Sequence, residues 1–192
     1  MRISDFDIGG KKVFVIAEIG NNHNGDFQLA IEMIDAAIAA GADCVKFQMR
    51  NMASVYRKKS LSKDGEDLGT EYILDLLERF ELSKAEHAKI AEYCDSKDAL
   101  YMCTPWDSDS IVALEALDVQ AYKVASADLT NLPLIENLIA TGKPLILSTG
   151  MSSVDEIQIT TNFLNSRNAE FVLLHCNSTY PAPFHDINLN WM

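Results

Sequence analysis

The chain has 192 residues, 16 Lys and Arg against 28 Asp and Glu, a formal net charge of −12 and 48% hydrophobic content. This composition excludes disorder as a global description, and a pI near 4.6 excludes nucleic-acid backbone binding and a basic membrane-surface patch. The length favours one domain. No run approaches the roughly 18 apolar residues of a membrane span, and the first apolar run lacks the cationic start and small-residue cleavage site of a secretory leader. Cys44, Cys94, Cys103 and Cys176 lie far apart without a C-x-x-C pair. They read as small hydrophobes rather than disulfide or metal partners, and a reducing cytoplasm is the expected setting.

In chain order, short apolar runs occupy residues 13–16 (Val-Phe-Val-Ile), 44–47 (Cys-Val-Lys-Phe), 100–103 (Leu-Tyr-Met-Cys), 121–125 (Ala-Tyr-Lys-Val-Ala), 145–147 (Leu-Ile-Leu) and 171–174 (Phe-Val-Leu-Leu). Near-continuous hydrophobicity, rather than alternation, is the pattern of parallel strands covered on both faces. Helix signals fill the gaps. Leu29, Met33, Ala37 and Ile38 mark one face of a helix capped by Asp26 and ended by Gly41. Ser83 with Glu86, and Ser153 with Glu156, are capping boxes. Thr141-Gly-Lys-Pro144 stops one helix and starts a strand, because Gly takes the left-handed cap and Pro cannot continue the helix. Between residues 50 and 69 lies a polar segment in which Tyr56-Arg-Lys-Lys-Ser60 is basic; it reads as a solvated loop, or as a lid over an anion.

Six successive βα-type units without a dividing linker predict a parallel sheet, either an open doubly wound one or a barrel. The G-x-G-x-x-G and G-x-x-x-x-G-K-[ST] fingerprints are missing, which removes the usual support for a nucleotide-binding open sheet; without a G-x-S-x-G elbow, serine-hydrolase chemistry is unsupported.

Polar residues gather where the runs end. The first ends in Glu18 and the Asn21-Asn22-His23-Asn24-Gly25 turn; the second carries Lys46 and Gln48; the third ends in Thr104-Pro105-Trp106-Asp107. The fourth carries Lys123, Ser126 and Asp128, the fifth ends in Ser148-Thr149-Gly150, and the sixth in Asn177-Ser178-Thr179-Tyr180-Pro181. Parallel sheets bind ligands beyond the carboxyl ends of their strands. A lysine within an apolar run is costly unless it meets an anion or snorkels to water. Each lysine alone reads as paired with a carboxylate such as Glu18, whereas Lys46 and Lys123 together, with the Thr104, Ser126 and Ser178 hydroxyls, read as a phosphate or carboxylate site. His23 reads as a local turn residue, His87 as a helix-surface residue, His185 as a loop residue, and His175 as a core or functional histidine. Trp106 reads as packed under a loop or walling a pocket. No His or Cys/His pair has metal-ligand spacing.

Six segments taken together resemble the sialic acid synthase family, the phosphoenolpyruvate-dependent synthases of nonulosonic acids. They are Ile16-Ala-Glu-Ile-Gly-Asn-Asn-His-Asn-Gly25, Gly41-Ala-Asp-Cys-Val-Lys-Phe-Gln48, Cys103-Thr-Pro-Trp106, Ala121-Tyr-Lys-Val-Ala-Ser-Ala-Asp128, Gly142-Lys-Pro-Leu-Ile-Leu-Ser-Thr-Gly-Met151 and Leu174-His-Cys-Asn-Ser-Thr-Tyr-Pro181. Each is weak alone; six in the family's order are specific. The resemblance implies a parallel (β/α)8 TIM-type barrel, of which about six βα units lie in this chain, residues 1–192 being its N-terminal part. It implies condensation of phosphoenolpyruvate with N-acetylmannosamine or a related N-acetylated amino sugar, with release of phosphate. A spore-coat or capsule polysaccharide synthase with another acceptor, and a non-catalytic anion- or sugar-binding remnant, are the alternatives.

By that resemblance Glu18, Lys46 and Lys123 are catalytic, with Glu18 managing protons near the attacking water. Lys46, Thr104, Lys123, Ser126 and Ser178 hold phosphoenolpyruvate, while Asp128 and Tyr180 face the acceptor. Many members carry Glu in place of Asp128, and some Asn in place of Ser178. The family's two metal-binding histidines lie on strands seven and eight and its antifreeze-like domain follows, so the ligands of the expected Mn2+ or Mg2+ fall beyond Met192. The resemblance also implies a homodimer with small-molecule substrates, and neither nucleic acid nor membrane as partner. The expectation is a truncated barrel, inactive as a synthase on its own.

Overall fold

The computed structural model describes residues 1–56 and 70–192. Arg2–Ile3 (β1) and Phe6–Asp7 (β2) form a small antiparallel hairpin that the apolar pattern did not foretell, since two-residue strands leave no periodicity to read. Six further strands follow: Ile16–Gly20 (β3), Cys44–Met49 (β4), Leu100–Pro105 (β5), Tyr122–Val124 (β6), Leu145–Ser148 (β7) and Phe171–Leu174 (β8). The helices are Phe27–Ala39 (α1), Met52–Val55 (α2), Thr70–Phe80 (α3), Lys84–Ser96 (α4), Ser108–Glu115 (α5), Leu132–Ile139 (α6) and Val154–Ser166 (α7). Each of β3 to β7 leads into at least one α-helix. This is an α/β fold with six units of the (β/α)-barrel alternation.

The chain divides into two units, residues 13–119 and residues 1–12 with 120–192. In the first, β3, β4 and β5 are parallel, with Glu18 in register with Lys46, and Lys46 with Met102. A register shift between Glu18 and Gly20 bulges β3, which re-aims its carboxyl end. Cys44, Val45 and Phe47 of β4 are fully buried, as a strand covered on both faces requires, and Ile34 of α1 and Ile90 and Cys94 of α4 are fully buried too. In the second unit β6, β7 and β8 are parallel, with Tyr122 in register with Leu145 and Leu147 with Leu173. Tyr122, Leu145, Leu147, Leu129, Ile135, Leu138 and Leu164 form its core, and Thr160 donates to the Leu129 carbonyl at 2.8 Å, tying α7 to the loop before α6.

Local chemistry sets the boundaries. Asp26 caps α1 by accepting from the Gln28 and Leu29 amides. Both capping boxes form, opening α4 and α7. Gly142, at φ 72°, makes the left-handed step between α6 and β7.

Four expectations need correction. The first parallel strand starts where its apolar run ends: Val13 is 81% exposed, and the ladder to β4 begins at Ile16, so Glu18 lies inside β3. Ser126 and Asp128 belong not to β6 but to a 3-10 turn just after it. In α1 the deepest residues are Ala30 and Ile34, while Leu29, Met33, Ala37 and Ile38 are half-buried. His87 is 1% exposed rather than on a helix surface. Its Nδ1 lies 2.8 Å from the Tyr101 hydroxyl, and Phe47 meets its ring edge-on at 6.1 Å.

Burial of His87 has a measurable consequence. Desolvation pushes its pKa down to about 4, so the folded ring stays neutral while an unfolded chain takes up a proton below about 6.5. Stability is then fully present above about 6.5 and falls as pH drops toward 4, by about 3 kcal/mol. Glu81, pushed up to about 7 by burial from 4.5, has the opposite slope over its own window. Comparing urea midpoints of the wild type and His87→Leu between pH 7 and 4.5 separates the two. The variant is expected to lose the histidine's acid-side slope and to keep that of Glu81.

Candidate functional site

In the first unit, the site grows from the carboxyl ends of β3, β4 and β5. Side chains in register on parallel strands share a face, and the period of two puts Glu18, Lys46, Gln48 and Thr104 on the same one. Lys46 is 6% exposed, forms an ion pair with Glu18, and donates to the Thr104 hydroxyl at 3.1 Å. Glu18 keeps half of its side chain in water. The pairing read for a single lysine is thus present, in a cluster that also holds a hydroxyl. Gly20 sits against this pair; a Cβ there would lie 3.1 Å from the Glu18 Oε1 and 3.4 Å from the Gln48 Nε2.

Beside this group lies a network that the sequence reading did not anticipate. Arg50 is nearly buried, with its Nε 2.9 Å from the Glu81 carboxylate, its Nη2 donating to the Gln48 Oε1 at 2.6 Å, and its guanidinium 5.0 Å from the Trp106 ring centre. Trp106 therefore serves as a stacking wall for a cation. Asp107 accepts from the Asn51 amide at 2.6 Å and from the Ser110 amide at 2.8 Å, which ties the end of β4 to the start of α5. His23 behaves as read: its Nδ1 accepts from the Gly25 amide at 3.1 Å, and burial lowers its pKa. Of the basic segment, Tyr56 is described and residues 57–60 lie outside the described residues.

In the second unit, Lys123 of β6 is 7% exposed and donates to the Ser148 hydroxyl at 2.5 Å and to the Val124 carbonyl at 2.7 Å. The Cys176 thiol donates to the same Ser148 oxygen at 3.3 Å. Two more hydroxyls meet at Gly150, where a Cβ would lie 2.6 Å from the Ser178 Oγ and 2.9 Å from the Ser126 Oγ. Asp128 accepts from the Asn131 side chain at 3.0 Å, while its buried Oδ2 has no hydrogen-bond partner among the described residues and desolvation raises its pKa. Tyr180 is 92% exposed. His175 is exposed just past β8, not in a core; its Nε2 accepts from the Asn188 amide at 3.2 Å. A cavity of about 570 Å³ beside β8 is lined by Thr149, Cys176 and His175 with apolar Val154, Ile157 and Leu173.

In the sequence Ser148 and Gly150 are strand-end residues without an assigned role, and Cys176 reads as a small hydrophobe. The signal for Ser148 is the register: Lys123 pairs with Ile146, so Ser148 is the next residue of β7 on the same face. All four cysteines are free. Burial pushes the Cys94 and Cys103 thiols up to about 12 and the Cys44 thiol higher still. Among the described residues no three His, Cys, Asp or Glu side chains group as metal ligands. Among the same residues no helix is long and apolar enough to cross a membrane.

The chain is 36% identical over 188 residues to an N,N'-diacetyllegionaminic acid synthase of Campylobacter jejuni, covering 95% of this chain and 56% of that protein. It is 31% identical over 186 residues to the human N-acetylneuraminate-9-phosphate synthase, covering 95% and 52%. The crystal structure of N-acetylneuraminic acid (sialic acid) synthetase from Leptospira borgpetersenii in complex with citrate matches with a TM-score of 0.83 at 35% identity, covering 94% of this chain and 60% of that one. The chain spans about half the length of the curated relatives it matches. The model of the NeuB family matches residues 33–192, and the chain belongs to that family.

Proposed function

We propose that this chain carries phosphoenolpyruvate-binding and acid–base residues of a synthase that condenses phosphoenolpyruvate with N-acetylmannosamine or a related N-acetylated amino sugar, giving a nonulosonic acid and phosphate. The observation that carries the reading is a repeated pair. Each unit holds a nearly buried ammonium against a hydroxyl at the carboxyl end of parallel strands, Lys46 with Thr104 and Lys123 with Ser148. Ammonium and hydroxyl donors suit phosphate and carboxylate oxygens.

In this reading, as the resemblance to the sialic acid synthases implies, Lys46, Thr104, Lys123, Ser126 and Ser178 are ligands of phosphoenolpyruvate. Its enol carbon attacks the sugar aldehyde and forms the new C–C bond, the aldehyde oxygen taking a proton. Water adds to the neighbouring carbon, which has become electron-poor, and gives up a proton. The tetrahedral intermediate then expels phosphate with its bridging oxygen, leaving a ketone. Glu18, half in water and next to Lys46, takes the proton from that water in this reading. The Asp128 Oδ2, without a partner among the described residues, suits a hydrogen bond to the acceptor, which Tyr180 also faces in this reading. In this reading the Mn2+ or Mg2+ implied by the family would be held by residues other than those described. Free thiols suit a cytoplasmic setting, and a homodimer accompanies the reading.

Gly150→Ala tests the hydroxyl pair. The new methyl must turn Ser126 and Ser178 away, so phosphoenolpyruvate binding should weaken severalfold by calorimetry. The melting temperature should hold, because the Ser178 end is exposed. The function itself is tested by phosphate release from the gene's full product, supplied with Mn2+, phosphoenolpyruvate and a panel of N-acetylated amino sugars. Release is expected only with both substrates; release without any sugar, or with none of the panel, would overturn the proposal.

A further inference from the structure

We infer that Ser148 is a positioning residue for Lys123, held in turn by the Cys176 thiol. The inference rests on the reading of Lys123 as a phosphoenolpyruvate ligand. Its basis is that one geometry occurs twice. Lys46 is in register with Met102 and donates to the hydroxyl two residues further along β5, Thr104. Lys123 is in register with Ile146 and donates to the hydroxyl two residues further along β7, Ser148. Each lysine leans one pleat step toward the carboxyl end of the neighbouring strand and ends on a hydroxyl there.

A lysine ammonium on four flexible bonds needs such an acceptor to stay in one place. Ser148 is well suited to the task, being 6% exposed and rigidly set as the last residue of β7. The Ser148 oxygen receives both the Lys123 ammonium at 2.5 Å and the Cys176 thiol at 3.3 Å. A hydroxyl oxygen accepts about two hydrogen bonds, so its lone pairs are committed and its rotation is fixed by two partners, one on β6 and one just past the end of β8. Cys176 thereby acts through Ser148 rather than on substrate.

The test uses the chain labelled with 15N-lysine, read by the Lys123 ammonium resonance and by titration with phosphoenolpyruvate. Ser148→Ala is expected to broaden the ammonium resonance by faster exchange and to weaken phosphoenolpyruvate binding about five- to tenfold. Ser148→Thr, which restores the hydroxyl, should return both to within about twofold. Cys176→Ala removes only the donor to Ser148; it should sharpen the case with a loss of about twofold and serves as the probe if Ser148→Ala does not fold. If Lys123→Ala abolishes binding while Ser148→Ala and Cys176→Ala leave affinity and resonance unchanged, the inference falls and the reading of Lys123 stands. If Lys123→Ala binds phosphoenolpyruvate like the wild type, the reading falls and the inference with it.

Discussion

Alanine in place of Lys46 or Lys123 is expected to weaken phosphoenolpyruvate binding at least tenfold. A hydrogen bond to a charged group contributes about 1.5–3 kcal/mol, which is ten- to more than a hundredfold in affinity. Both ammonium groups are nearly buried, where screening by salt is weak, so the upper part of that range applies. The fold should survive each change. Without Lys46, the half-exposed Glu18 carboxylate is still solvated; without Lys123, the Ser148 hydroxyl keeps the Cys176 thiol. Calorimetric titration, with thermal melts to confirm folding, reads the result. Wild-type affinity in both variants would refute the assignment of the lysines.

Glu18→Gln should separate binding from turnover. The substitution keeps the shape, removes the proton acceptor, and frees Lys46 from the counter-charge that an incoming phosphate must displace. Phosphoenolpyruvate affinity should therefore hold or tighten, while turnover of the gene's full product falls about a hundredfold or more. If Glu18 acted only to hold Lys46 in place, affinity and turnover would fall together. Full turnover in the variant would remove Glu18 from the acid–base role.

Much of this arrangement can be read from residue order. The six apolar runs mark the six parallel strands, and both capping boxes sit where Ser83 with Glu86 and Ser153 with Glu156 put them. Lysines within strands pointed to both anchors, since an ammonium in an apolar run has few places to go. Other features depend on partners far along the chain. The start of β3 is decided by its ladder to β4 and not by hydrophobicity, so Val13 is apolar and exposed. His87 lies on a polar helix, and its burial follows from Phe47 and Tyr101, which are brought over it by β4 and β5. Arg50 and Glu81 are 31 positions apart in sequence, and the charge pattern does not join them before the fold does. The role of Ser148 needs the strand register, because the spacing from Lys123 in sequence carries no sign of contact.

The central claim is condensation with cleavage of the C–O bond of phosphoenolpyruvate, and bridging-18O phosphoenolpyruvate tests it most directly. The gene's full product would be given this substrate, Mn2+ and an N-acetylated amino sugar that supports phosphate release, and the phosphate examined by 31P NMR. The phosphate is expected to carry the 18O label and to form only when the sugar is present. Unlabelled phosphate, with the label left on the carbonyl carbon of the organic product, would mean P–O cleavage and would contradict the claim.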